Sequence, residues 1–228
     1  MTGSVRTFER GIALIVEGAT EKMFYQVYLE RCCDACPPAH MDKELLDGDV
    51  CFVIRGCSHG ERLVMFHSMD TITQMPNAGA WFNRACKGKF PAVPWSVFLC
   101  YDADVYNHPV SKFREGDWAR LREEIEEGAE NVFDLAAEAD IEDVLMCDYA
   151  GVLAWLLLAP DTPVPSGRNG KNKLRRLFQL SGRRGAYHAG ERSRGFVESL
   201  DMAQIEAQVP FDLGELRRRV FEPVIFDL

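Results

Sequence analysis

The chain has no apolar stretch of membrane length: its longest, Ala150–Pro160, falls far short of the ~20 residues a spanning helix needs. Residues 1–10 are polar and show no secretory signal, so no membrane is expected and the cytoplasm is the default location. Cysteines are few and irregularly spaced, eight in 228 residues. Without a secretion signal they read as reduced thiols rather than a disulfide framework. Positive charge is not in excess either. The net charge of −9 argues against tight nonspecific binding of nucleic acid over the whole surface. No internal repeat and no coiled-coil heptad is evident. An apolar content of 47% and a charged content of 27% remain, as in an ordinary soluble globular protein. The length allows one domain with elaborations, or one domain and a small appendage.

What is present is organised around 12–21, Ile-Ala-Leu-Ile-Val-Glu-Gly-Ala-Thr-Glu. Five unbroken apolar residues, Ile12–Val16, predict a strand buried on both faces. Glu17-Gly18 ends it, and Met23, Phe24, Val27 and Tyr28 follow at helical spacing. Glu17 thus stands at the C-terminal end of a buried strand, where open α/β sheets build their sites. Glu21, in the first turn of the helix, can point back to the same place. A second buried run, Trp95–Tyr101, leads into Asp102-Ala103-Asp104, two carboxylates that can face one sheet edge. Glu17, Asp102 and Asp104 make a cluster of hard oxygen ligands suited to Mg²⁺ or Mn²⁺. The plainer alternative is that each acid is merely solvated at its strand end.

The rest of the chain is read around these two stretches. Val50–Arg55 predicts another buried strand. Gly56-Cys57-Ser58-His59-Gly60 and a helix carrying Leu63, Val64, Phe66 and Met69 are expected to follow, which would make the sheet parallel. The stretch 32–48 is expected to be a loop. Within it, Cys33-x-x-Cys36-x-x-x-His40 has the spacing for three zinc ligands, against the blander reading of a cysteine-rich loop. The polar insertion 71–94 suggests a lid or another functional loop by its length. Glu115–Glu127 predicts a charged helix whose acids form a solvated face. Val132–Leu135 predicts a short strand, and 141–158 an apolar helix opened by Glu142 and Asp143. A basic helix, Lys173–Leu180, and a glycine/arginine loop, 181–194, come next. From Arg168 to Arg194 nine Lys/Arg face a single acid, Glu191. One basic face could hold a nucleic-acid backbone through Arg168, Arg175, Arg176, Arg183 and Arg184 while the acidic remainder repels it. His59 and His108 lie near the expected turns, where surface roles are commoner than substrate contact. Gly167-x-x-Gly170-Lys171 lacks both the preceding strand and the spacing of a phosphate loop.

Val16-Glu17-Gly18-Ala19-Thr20-Glu21, followed by Tyr101-Asp102-Ala103-Asp104, resembles the TOPRIM domain of topoisomerases, primases and several nucleases. It is most similar to the TOPRIM of OLD-family nucleases and related small phage-defence proteins. The resemblance covers roughly residues 11–148. It implies an α/β, Rossmann-like, mostly parallel sheet with helices on both faces. The rest, 149–228, is not covered by it and reads from its residues as a C-terminal helical extension carrying the basic segment 168–194. It also implies a glycine turn like that at Gly56. By resemblance Glu17, Asp102 and Asp104 are the core metal ligands, with Glu21 and Glu142 completing a site for two Mg²⁺ or Mn²⁺ ions. Asp143 stands close behind Glu142, and the alternative is that these two acids only favour the helix N-terminus. The resemblance further implies a downstream lysine that stabilises transition-state charge: Lys173 is preferred, with Lys171 nearly equal, and the alternative is that both hold phosphate.

The function expected is metal-dependent hydrolysis of phosphodiesters in DNA or RNA by a two-metal mechanism. The small phage-defence relatives work beside a separate ATPase, and no ATPase motif exists here, so such a partner would be a second protein. A homodimer is also left open. The alternative is a noncatalytic TOPRIM-fold subunit that binds nucleic acid or protein, against which the intact Glu17, Glu21, Asp102 and Asp104 argue. A topoisomerase or primase fits less well, because the chain has no room for the additional domains.

Overall fold

The computed structural model describes residues 6–70, 72–103, 115–182 and 187–222. Six strands are present: β1 (Arg10–Val16), β2 (His40–Leu46), β3 (Asp49–Arg55), β4 (Arg62–Ser68), β5 (Trp95–Asp102) and β6 (Asn131–Ala137). The α-helices are α1 (Ala19–Asp34), α2 (Ala78–Trp81), α3 (Glu115–Glu126), α4 (Ile141–Leu145), α5 (Tyr149–Leu156), α6 (Gly170–Ser181), α7 (Arg194–Glu198), α8 (Met202–Gln208) and α9 (Leu213–Phe221). The strands form one sheet in the order β2-β3-β4-β1-β5-β6. Its four-stranded core, β4-β1-β5-β6, is parallel throughout.

β1 is buried along its whole length, as its unbroken apolar run requires. Ile12, Leu14 and Val16 pack on one face with α1 and the C-terminal helices. Ala13 and Ile15 pack on the other with α2, α3 and the turns around them. Helices therefore cover both faces of a Rossmann-like α/β sheet. The segment after residue 148 lays Leu174, Leu177, Phe178, Phe196, Val197, Ile205 and Leu216 into the core that β1 and α1 share. No described helix is long and apolar enough to cross a membrane.

Three expectations are corrected. Residues 62–68 form strand β4, not a helix. Leu63 and Met65 are buried on one face of the sheet while Val64 and Phe66 pack on the other; an apolar run that serves two opposite layers suits a doubly covered strand. Second, β3 is antiparallel to both neighbours, so the expected parallel connection at Gly56 is a hairpin turn. Gly56 has φ +76°, and a Cβ there would lie 2.3 Å from the Pro38 carbonyl oxygen. Third, the expected loop 32–48 contains the end of α1 and the edge strand β2. Its polar sequence, His-Met-Asp-Lys-Glu-Leu-Leu, hides the strand because an edge needs charge rather than apolar alternation. Arg55 on β3 ties it down through Asp42 and Glu44.

The insertion expected as a lid is a packed layer in its described part. Met75, Ala78, Trp81, Phe82, Ala85 and Cys86 are all buried against the second face of the sheet. The charged helix α3 and the strand β6 occur where the sequence places them. The apolar helix expected over 141–158 is divided into α4 and α5 by a short 3₁₀ turn, Met146–Asp148.

Candidate metal centre

Three neighbouring parallel strands end along one edge of the sheet, and acids follow each of them. Register pairs Val16 with Cys100 and Asp102 with Ala137. The Glu17 amide extends the ladder by donating to the Cys100 carbonyl at 3.0 Å, and the Ala103 amide does so to Ala137 at 2.8 Å. Beyond β1 come Glu17 and, one helical turn on, Glu21. β5 ends in Asp102. Just beyond β6 come Asp140 and Glu142. Gly18, in extended conformation, is the N-cap of α1 and offers no capping side chain, so the turn into the helix leaves the carboxylates room.

These acids share one poorly hydrated neighbourhood. Glu21 and Glu142 are 7% and 2% exposed. Burial pushes the Glu21 carboxyl up to about 7, and the charges of Glu17 and Glu142 add to the rise while Lys171 opposes it. Asp102 is pushed up to about 9, first by burial and then by Glu21, Glu17, Asp140 and Glu142. Asp140 is raised to about 6 by burial and by Glu142. Asp102 Oδ1 is shut off from solvent and has no hydrogen-bond partner. A buried acceptor in that state costs about 1–3 kcal/mol, more when charged.

A surrounding set of contacts holds the acids in place. The Asp102 amide donates to Glu17 Oε2 at 3.2 Å. The Tyr187 hydroxyl donates to Glu142 Oε1 at 2.9 Å. Asp140 caps α4 by accepting from the Asp143 amide at 3.0 Å, and its other oxygen accepts from the Lys171 amide at 3.1 Å. That bond brings the start of α6 against the start of α4. Only glycine permits the approach: a Cβ on Gly170 would lie 2.1 Å from the Asp143 nitrogen and 2.3 Å from the Glu142 carbonyl carbon. The Gly190 amide donates to buried Thr20 Oγ1 at 3.0 Å, which fastens the segment beyond Tyr187 to the first turn of α1.

Of the residues expected at the site, Glu17, Glu21, Asp102 and Glu142 are brought together, and Lys171 joins them. Asp143 is turned to Lys173, whose Nζ lies 3.0 Å from its Oδ1. Asp104, His108, Arg183 and Arg184 lie outside the described residues. Arg168, Arg175 and Arg176 are exposed, and Arg176 bonds Ser166. The glycine turn with His59 precedes β4 and so lies at the sheet edge opposite the carboxylates, which removes His59 from substrate contact there. Cys33 is buried, Cys36 is exposed, and His40 heads β2 with its ring nitrogens toward the Pro38 carbonyl and Asp42. Among the described residues no three His, Cys, Asp or Glu side chains, in that loop or elsewhere, are already arranged to grip one ion.

Asp140 and Tyr187 were not singled out from the sequence. The Asp-x-x-Asp pattern just before an apolar run signals a helix cap and marks Asp140. Nothing local marks Tyr187, which reaches Glu142 across 45 residues of chain. No protein-family model and no curated protein matches the chain.

The donor set fits a divalent cation. All five acids offer hard oxygen, one buried oxygen is orphaned, and Lys171 is a side-chain cation that acts on Glu21. The carboxylates stand apart as like charges do, and Glu17, Asp140 and Glu142 are each steadied by a donor.

Proposed function

We propose that the chain is a TOPRIM-type nuclease that hydrolyses phosphodiester bonds in nucleic acid and needs Mg²⁺ or Mn²⁺. The observation that carries this reading is the orphaned Asp102 Oδ1 amid Glu17, Glu21, Asp140 and Glu142, at the common end of β1, β5 and β6. Glu17, Glu21, Asp102 and Glu142 would hold the metal. When bound there, such ions polarise a phosphoryl oxygen and supply a water acidic enough to attack phosphorus. The protein's own groups do the positioning. Tyr187 orients Glu142, the Asp102 amide orients Glu17, and Asp140 sets the start of α6 so that Lys171 faces the acids. Lys171 is the cation best placed to meet developing negative charge on a phosphate. The exposed Arg168, Arg175 and Arg176 along and beside α6 suit the flanking backbone phosphates. A separate ATPase partner and a role in phage defence belong to the same proposal and rest on the resemblance alone.

The test is cleavage of labelled plasmid, single-stranded DNA and tRNA with Mg²⁺ or Mn²⁺, beside the Asp102→Ala protein. Cutting that needs metal and vanishes in the variant supports the proposal. Cutting that survives the substitution, or its absence in a folded protein that also fails to bind Mn²⁺, sinks it.

A further inference from the structure

Beside the carboxylates, on the far side of Tyr187, lies a cleft of about 240 Å³. That is below the ~300–1,000 Å³ of clefts for drug-sized ligands. Its lining is unusually aromatic. Buried Phe178 and Phe196 meet edge to face at 5.8 Å, Trp155 stands 6.3 Å from Phe196, and Tyr187 stands 5.5 Å from Phe178. Exposed His188 and Arg192 stand at the rim. The cleft and the candidate centre share a wall, because the Tyr187 ring lines the one while its hydroxyl holds Glu142 in the other. Thr20 locks that wall to α1 through the Gly190 amide.

We infer that this cleft takes one unstacked base of a single-stranded nucleic acid whose backbone lies across the carboxylates. The inference rests on the nuclease reading and names its substrate class. Four features select this occupant. The cavity has the scale of one flat ring system rather than a larger ligand. Aromatic walls hold bases of any sequence through their faces. Arg192 at the mouth, and Arg175 and Arg176 on nearby α6, match a polyanion and not a neutral apolar ligand. The shared Tyr187 puts the base and the phosphate within one nucleotide unit of each other. A base paired in a duplex cannot enter unless it is first flipped from the stack, so single strands are the preferred substrate.

The experiment measures binding without turnover, in EDTA, by anisotropy of a labelled oligonucleotide. Intact single strand, duplex, and a single strand of abasic sugar-phosphate are compared on the unchanged full chain. The intact strand should bind at least about tenfold tighter than either competitor, the scale of one stacked base. Binding should also quench tryptophan fluorescence. Trp155 is the tryptophan that lines the cleft, whereas Trp81, Trp95 and Trp118 are buried elsewhere. The rim variant His188→Ala/Arg192→Ala, with an unchanged melting temperature, should bind intact and abasic strands more weakly by about the same factor, because Arg192 meets the backbone that both share; an unchanged affinity overturns the placement of the strand across this rim. Equal binding of abasic and intact strands, or of duplex and single strand, overturns the inference. The two readings fail separately. A protein that prefers intact single strands but cuts nothing with Mg²⁺ or Mn²⁺ has lost the nuclease proposal and kept the cleft. One that cuts duplex and abasic strands as fast as intact single strands has lost the cleft and kept the nuclease.

Discussion

The backbone amide of Asp102 donates to the carboxylate of Glu17 across 3.2 Å, joining the ends of β5 and β1. One acid is thereby aimed by the backbone of the other, although 85 residues separate them. The bond fixes Glu17 but does nothing for Asp102, whose Oδ1 stays buried and unpartnered.

Asp102→Asn should therefore stabilise the metal-free protein while ending any metal response. The substitution keeps the shape and removes a carboxyl that burial and four neighbouring acids hold near 9. The expected gain at pH 8, where folding no longer has to suppress an ionisation the unfolded chain makes freely, is about 1–3 kcal/mol, the worth of one or two pKa units, seen as a melting temperature raised by roughly 2–4 °C per kcal/mol for a chain of this size. Thermal unfolding in EDTA measures it. A loss of stability would mean that Asp102 is satisfied by a partner in solution.

The wild-type protein should carry a pH signature of the same crowding. Asp102, Glu21 and Asp140 titrate near 9, 7 and 6 when folded, against about 4 in the unfolded chain. Between those limits the folded state holds more protons than the unfolded state. Stability in EDTA is thus fullest below about pH 4 as far as these groups decide it, and it falls as pH rises toward 9. Mn²⁺ should reverse the trend, raising the melting temperature more at pH 8 than at pH 6, because deprotonated carboxylates are the ligands. A metal-induced shift that is equal at both pH values would count against binding at this cluster.

Tyr187→Phe should leave Glu142 Oε1 without its donor while preserving the ring that packs on Phe178. Losing one hydrogen bond to a buried carboxylate costs about 1–3 kcal/mol. If Glu142 holds metal, affinity for Mn²⁺ should fall by about 10–100-fold, as for other groups that orient ligands. Thermal unfolding in EDTA and titration calorimetry with Mn²⁺ separate the two effects. Lost stability with unchanged Mn²⁺ affinity would assign Glu142 a structural role.

These contacts also show how far the sequence could be read. Glu17 and Asp102 were legible because each sits where an unbroken apolar run stops, and parallel strands bring such stops to one edge; Glu21 was legible because it opens the helix that follows Glu17. The β2–β3 hairpin and β4 were not. His40–Leu46 carries the charges of an edge strand, and Leu63–Phe66 satisfies helical spacing and a two-faced strand equally well. Asp140 was legible as a cap but not as a neighbour of Lys171. Tyr187 was legible as neither, since a contact made across 45 residues leaves no local pattern.

Gly170→Ala should be more damaging than its small size suggests. The added methyl would meet backbone atoms of Glu142 and Asp143 at 2.1–2.3 Å, and backbone at a helix junction cannot swing aside like a flexible side chain. α6 must move off α4, and the bond from the Lys171 amide to Asp140 is lost with it. A loss of about 2 kcal/mol or more is expected, within the range for overpacked sites. A melting temperature within 1 °C of wild type, roughly the resolution of a small effect, would show that the junction yields to a methyl group.

The two lysines of α6 divide the remaining question. Lys173 is committed to Asp143 by an ion pair 3.0 Å long, with both side chains about a quarter exposed. Such a pair contributes about 0–1 kcal/mol, and its charge is already answered. Lys171 has its amide on Asp140 and its positive charge acting on Glu21. If a phosphate lies over the acids, the charge left to meet it is that of Lys171. Lys171→Ala should reduce cleavage by about 10²-fold or more, the scale of one lost donor to developing negative charge, with little change in melting temperature. Lys173→Ala should change cleavage by less than about tenfold. The reverse order would mean that Asp143 releases Lys173 when substrate binds, and that the pair seen in the free protein is a resting contact rather than the working one.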